Sequence, residues 1–319
     1  MMGFTCTCEI LWLSCVQNLV HDPVIMVKNS DLSMQLPIVD LHSHVIADDA
    51  SRYPLAPMGG KQSDWSKERP INGQAMLDAM QQAGVAKSVL VQASTCYGHD
   101  NRYVQDSVAA HPDVFAGVFS VDMMAADAIT QIQGWMAAGL SGARVFIAGH
   151  TAADHSVRLD DPRAFAAWDY IAQQRIPMCV QLRADGLPQL EALLKRFPQA
   201  VVLLDHFARP SLEGGAPYAA AQSLFALSKY ENLHFKFTTH NVRESKLGLS
   251  TQAQFARQVV DTFGAQRIAW GSNFPASPGS LQDHLNEAME AMDALSAVER
   301  EWIFSRTAHA LYPRLGALN

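Results

Sequence analysis

Eight short apolar runs, each followed by an amphipathic helical stretch, leave this chain few folds to choose from. The runs lie at 38–42 (IVDLH), 86–93 (AKSVLVQA), 115–121 (FAGVFSV), 142–147 (GARVFI), 176–182 (IPMCVQL), 200–205 (AVVLLD), 233–238 (LHFKFT) and 267–271 (RIAWG). They are continuous rather than alternating, the pattern of strands buried on both faces. Helical patterns fall between them at 73–83, 101–110, 125–138, 162–174, 187–196, 218–229 and 252–263, and a last helical region at about 294–311 closes the chain. Gly84 and Gly139 follow helices, where a C-terminus favours positive φ. Pro112, Pro177 and Pro198 stand in helix-to-strand turns. This alternation predicts an α/β fold, a single-domain (β/α)8 TIM barrel. A doubly wound open sheet is the alternative, but it would carry a Gly-rich phosphate loop after an early strand, and the sequence has none.

Composition agrees. The chain has 319 residues, 49% hydrophobic and 17% charged, enough to bury a large core. Its net charge of −7 argues against a nucleic-acid partner, because no basic face is available to neutralise phosphates. No run approaches the roughly 18 apolar residues of a membrane span. Cys6, Cys8 and Cys15 crowd the start, and Cys96 and Cys179 lie far apart in the body. No second pair follows Cys6-x-Cys8 at zinc-ribbon spacing, and the odd count fits a reducing cytoplasm. Residues 10–16 are apolar, but no Lys or Arg precedes Lys28, so the basic region of a signal peptide is missing. Residues 1–37 read as an N-terminal extension, or as the product of a start codon placed too early, with Met26 or Met34 the true start. The barrel is expected over 38–313.

In such a barrel the functional groups sit at the C-terminal ends of the strands and in the loops beyond. Asp40-Leu-His42-Ser-His44 ends the first strand with two imidazoles at a spacing of two, which puts them on one face. That pair can clamp a divalent ion or polarise a carbonyl. A lone histidine on a strand is more often a satisfied core residue, but two at this spacing favour function. Asp205-His206-Phe-Ala-Arg209-Pro follows the sixth strand. Asp205 can be a helix cap and His206 a backbone-bonded residue; the functional reading makes His206 a third imidazole, either a metal ligand or a donor to a developing oxyanion. Trp270-Gly-Ser-Asn273-Phe-Pro follows the eighth strand.

Taken in order and spacing, Asp-x-His-x-His, Asp-His-x-x-Arg-Pro and Trp-Gly-Ser-Asn-Phe-Pro resemble the amidohydrolase-related barrel enzymes (amidohydrolase family 2). The resemblance is to the branch containing 2-pyrone-4,6-dicarboxylate lactonase and sugar-acid lactonases. It covers about 38–313, including Tyr97-Gly-His-Asp-Asn-Arg102 and His111-Pro-Asp-x-Phe-Ala-Gly117. It implies a hydrolase with His42, His44 and His206 in the site, and an aspartate as general base at the position held here by Asn273. An amide cannot take a proton as a carboxylate does. The base is then another group, a histidine for example, or Asn273 only orients the water. The change also removes a negative charge from any metal site. A divalent ion, Zn or Mn, on His42, His44 and His206 and metal-independent action both remain open.

Arg144, Arg183, Arg209, Lys236 and Arg243 fall at or just beyond strand ends in an acidic protein. Singly, each reads as a surface ion pair; together at one end of a barrel they read as an anion-binding mouth, since guanidinium matches carboxylate bidentately. The expected activity is opening of a lactone of a carboxylated small molecule. The arginines and Lys236 would hold carboxylate, the three histidines would polarise the carbonyl, and Asn273 would position water. Self-association is left open. The rivals are a metal-dependent decarboxylase on the same barrel and a non-catalytic carboxylate-binding barrel. The loop 47–67, rich in Pro, Ser and Gly, reads as a lid over the mouth or a plain surface insertion. Met123-Met124 reads as packing.

Overall fold

The structure is a computed structural model that describes residues 37–147 and 158–316. The described residues belong to one compact unit. The expected N-terminal extension, with Cys6, Cys8 and Cys15, lies outside the described residues.

Eight parallel strands run in chain order around a barrel: β1 (Ile38–Ser43), β2 (Val85–Val91), β3 (Phe115–Ser120), β4 (Gly142–Phe146), β5 (Met178–Gln181), β6 (Val202–Leu204), β7 (Leu233–Thr238) and β8 (Ile268–Gly271). The expected α/β barrel is therefore the fold, with strand ends within a few residues of the apolar runs. The last seam closes without a full ladder. Ser43 bridges Phe274, the Asn273 N–H donates to the His42 carbonyl at 2.7 Å, and the His44 N–H donates to the Phe274 carbonyl at 2.9 Å.

The continuous apolar character of the strands follows from their two buried faces. Inward, Val39, Leu41, Val89, Val91, Val118 and Leu203 fill the lower barrel, with Tyr312 beneath them. Outward, Leu90, Phe119, Val180, Leu204, Phe235 and Trp270 pack under the helices. At about 25 cal/mol per Å² of apolar surface removed from water, this double burial dominates the stabilisation.

Local chemistry fixes the helix ends. The Asn72 side chain accepts the Ala75 N–H at 2.8 Å and starts Gly73–Ala83; Gly84 ends it at φ 69°. Gly139, expected at positive φ, has φ 102°. A helix at Leu281–Ala291 was not expected from the apolar pattern. Its start is legible after the fact as a capping box, in which Ser280 accepts the Asp283 N–H and Asp283 bonds back to the Ser280 N–H. The expected 218–229 helix is broken into short turns, Ala219–Ala221, Gln222–Phe225 and Ala226–Lys229. Among the described residues no helix is long and apolar enough to cross a membrane.

Candidate active site

The strand ends converge on a cavity of about 340 Å³ lined by His44, Arg144, Arg183, His206, Arg209 and Asn273, among others. Six of the nine sequence-expected site residues thus meet at one surface. His42 lies just behind it, its ring 4.9 Å from His44 and 5.0 Å from His206. Gly271 is what allows His42 to sit there: a Cβ on that glycine would come within 2.6 Å of the His42 Cβ.

All three imidazoles are held neutral. Burial, then the Lys236 charge, pulls the His42 pKa down to about 4. Burial, then the neighbouring His42, holds both His44 and His206 well below the ordinary histidine value. A neutral imidazole carries one N–H, and the Nδ1 partners say where it is. His44 Nδ1 lies 2.7 Å from the Val91 carbonyl, which can only accept, so the proton is on Nδ1 and Nε2 is bare. His206 Nδ1 lies 2.7 Å from Thr238 Oγ1. That hydroxyl donates to Asn241 Oδ1, whose orientation is set by the Asn241 amide N–H donated to the His206 carbonyl at 2.9 Å. Thr238 therefore accepts from His206 Nδ1, and His206 Nε2 is bare as well. In this neutral tautomer His206 Nε2 is an acceptor, which does not suit the oxyanion-donor alternative of its two expected roles.

His206 is placed by an unusual backbone. His206, Phe207, Ala208 and Arg209 all have positive φ, between 49° and 58°, one left-handed turn built without glycine. Such residues cost roughly 1–2 kcal/mol each in this region. The enclosed Phe207, packed on Phe235 at 5.0 Å between ring centres, helps hold the turn.

The five expected cations divide. Arg144 is almost fully buried; its Nη1 donates to the Gln92 carbonyl at 3.0 Å, its Nη2 bonds Gln181 and lies 3.3 Å from Asp205, and its Nε has no partner. Arg183 has no ion pair or side-chain hydrogen bond among the described residues; burial, then Arg209, lowers its pKa. Arg209 lines the cavity while paired with Glu244. The other two are placed away from the mouth. Arg243 is held by both oxygens of Glu287, at 3.0 and 2.9 Å. Lys236 is fully enclosed below the cavity, 3.0 Å from Asp205 Oδ1. Being inward-facing on a strand put it in the barrel, but too deep to reach a carboxylate at the mouth.

Other residues join the site. Asp205, weighed as a helix cap, is instead a buried counter-ion. Burial opposes its charge, but the Lys236 and Arg144 charges hold its pKa well below the carboxylate range. His240 also lines the cavity, its ring 5.2 Å from His206. Trp65, from the loop 47–67, stacks on His44 at 5.3 Å. The composition of that loop signalled its length but not which residue would reach the site. Asn273 has φ 56°, donates its amide to Ser277 Oγ at 3.0 Å, and keeps Oδ1 as an acceptor.

A model of the Amidohydrolase family matches residues 39–314. This chain belongs to the amidohydrolase family. It is 27% identical over 220 residues to L-fucono-1,5-lactonase of Burkholderia ambifaria, covering 66% of this chain and 71% of that protein. Its fold is shared with a structure from Pseudomonas putida assigned as a 2-pyrone-4,6-dicarboxylic acid hydrolase, at TM-score 0.72 and 20% identity over 88% of this chain and 99% of the other. It is shared too with a zinc-bound amidohydrolase from Burkholderia multivorans, at TM-score 0.69 and 19% identity over 87% and 99% of the two chains.

Proposed function

We propose that this amidohydrolase opens a lactone of a carboxylated small molecule. The observation that carries the reading is the cavity's lining, which brings the Arg183 guanidinium and the neutral imidazoles of His44 and His206 around one space. Arg183, which lines the cavity, holds the substrate carboxylate. His42, enclosed behind the lining, packs against the rings of His44 and His206 and holds them in place. Asn273 Oδ1 accepts one hydrogen of the attacking water, and His44 Nε2 takes the other proton. His44 is assigned this task because the β1–β8 seam sets it beside Asn273. The water oxygen bonds to the carbonyl carbon, whose π electrons move to oxygen. When the tetrahedral centre collapses, the ring C–O bond breaks and the leaving oxygen takes the proton from His44. His206, with its bare Nε2, accepts a hydrogen bond from the substrate. The likeness to the fuconolactonase supports the reaction class.

A divalent ion like the zinc of the Burkholderia multivorans structure fits these residues poorly. The amide of Asn273 stands where the resemblance implies a carboxylate, and two buried cations, Lys236 and Arg144, face the one carboxylate of Asp205. Among the described residues no group of three or more His, Cys, Asp or Glu is arranged to hold a metal. We therefore assign no step to a metal.

The experiment is a screen of carboxylated lactones against chelator-treated protein, following acid release with a pH indicator and CO₂ in parallel. Acid release without CO₂ is expected. CO₂ release would establish the decarboxylase instead, and tight calorimetric binding without turnover would establish a non-catalytic binding barrel.

A further inference from the structure

We propose that Lys236 is a positioning residue that fixes the proton of His42 on Nε2, making this histidine a hydrogen-bond donor and removing it from any metal's ligand set. This placement of the proton follows from the barrel's own contacts and does not depend on the lactonase reading above.

The Lys236 ammonium has three N–H donors and no acceptor. Three groups surround it: Asp205 Oδ1 at 3.0 Å, Cys179 Sγ at 3.0 Å and His42 Nδ1 at 3.2 Å. Asp205 keeps it charged, because a lysine this deep without a carboxylate partner would lose its proton. A donor-only group at 3.2 Å requires a bare Nδ1. The single proton of the neutral ring is then on Nε2. The opposite tautomer would aim Nδ1–H at Asp205 Oδ1 across 3.6 Å, too long for a hydrogen bond, and would set two donors against each other.

His42 Nε2 is buried and has no partner. It is flanked by the His44 and His206 rings, whose own Nδ1 partners leave their Nε2 atoms bare. Three identical side chains therefore have two different states: one donor and two acceptors. Metal coordination through Nε2 needs that nitrogen bare. Two of the three histidines offer it, and the third does so only if the Lys236 contact breaks. The β7 lysine thus sets the proton of the β1 histidine without touching the cavity.

The direct test is long-range ¹H–¹⁵N correlation NMR of the labelled, metal-free full chain near neutral pH, with the His42 resonances identified by comparison with H42Q. The expected pattern is Nε2 protonation for His42 and Nδ1 protonation for His44 and His206; an Nδ1-protonated His42 overturns the proposal. A second arm titrates zinc alone into wild type and into Lys236→Met/Asp205→Asn, which removes both buried charges together. The variant should bind zinc at least about tenfold more tightly than wild type, the usual reach of a residue that orients a ligand. Equal affinities, or stoichiometric tight zinc in wild type, would also overturn it. If the double variant does not fold, the NMR of wild type decides alone. Neither arm uses a lactone, so failure here and failure of the substrate screen are separate results.

Discussion

Asp40 on β1 accepts the backbone N–H of Ser272, just beyond β8, at 2.8 Å. The same oxygen accepts the His42 N–H at 3.0 Å, so one buried carboxyl sets the backbone of the first histidine and joins the first strand to the last. Asp40→Ala leaves both N–H groups buried and unpaired, at about 1–3 kcal/mol each. Urea unfolding should show a loss of about 3 kcal/mol or more. Asp40→Asn, which keeps an acceptor at Oδ1, should recover part of it.

Asn273 has a backbone role and a side-chain role, and two substitutions separate them. At φ 56°, Asn273→Ala should lower stability by about 1 kcal/mol as well as slow turnover. Asn273→Gly relieves the backbone and removes only the side chain. Its melting temperature should stay near wild type while kcat falls by about 10²-fold, the usual weight of a water-positioning group. An Asn273→Gly enzyme with undiminished kcat would remove Asn273 from the mechanism.

Among the five expected cations, the geometry separates a binder from a bystander. Arg183→Met should raise KM about tenfold or more for a carboxylated lactone, the worth of a charged hydrogen bond, with a smaller change in kcat. Arg243→Ala, which breaks only the Glu287 pair, should leave KM within about twofold, as expected of a partly exposed ion pair.

His234, on β7 away from the cavity, titrates with stability rather than activity. Burial, then Arg267, lowers its pKa to about 4 from an ordinary 6.5. The folded ring stays neutral while the unfolded one gains a proton below pH 6.5, so the unfolded state binds more protons. Its stabilisation is complete above 6.5 and is lost as pH falls towards 4, at about 1.4 kcal/mol per pH unit. His234→Gln should flatten the fall in urea midpoint between pH 6 and pH 4. An unchanged slope would show that His234 does not titrate differently on unfolding.

The barrel was legible because β1 to β8 are buried on both faces and so read as apolar runs, and because Gly84 and Gly139 mark helix ends. Leu281–Ala291 is hard to read because its buried stripe, Leu281, His284, Leu285, Ala288 and Ala291, is made of one histidine and two alanines beside two leucines, and the Ser280–Asp283 cap announces it better. Within the site, strand ends indicated which residues approach the mouth, bringing together His44, Arg144, His206 and Asn273. Depth was not legible. Lys236 and Arg144 are both strand residues directed inward, yet one is sealed beneath the cavity and the other lines it. Asp205 could not be told from a helix cap, because the structure after β6 is a left-handed turn that residue types do not signal. The histidine tautomers depend on Val91, Thr238 and Lys236, distant in sequence, and no local pattern encodes them.

That left-handed turn also governs how the scaffold can change. Positions 206 to 209 admit few replacements, since β-branched side chains are excluded from such backbone and only glycine, asparagine and aspartate enter it readily. Trp65, which stacks over His44, stands on the short right-handed helix Asp64–Glu68 and is under no such constraint. A library selected for new substrates should therefore collect its changes on the Trp65 wall and return almost none from 206 to 209. One wall of the cavity is open to adaptation, and the other has its residue alphabet set by chirality.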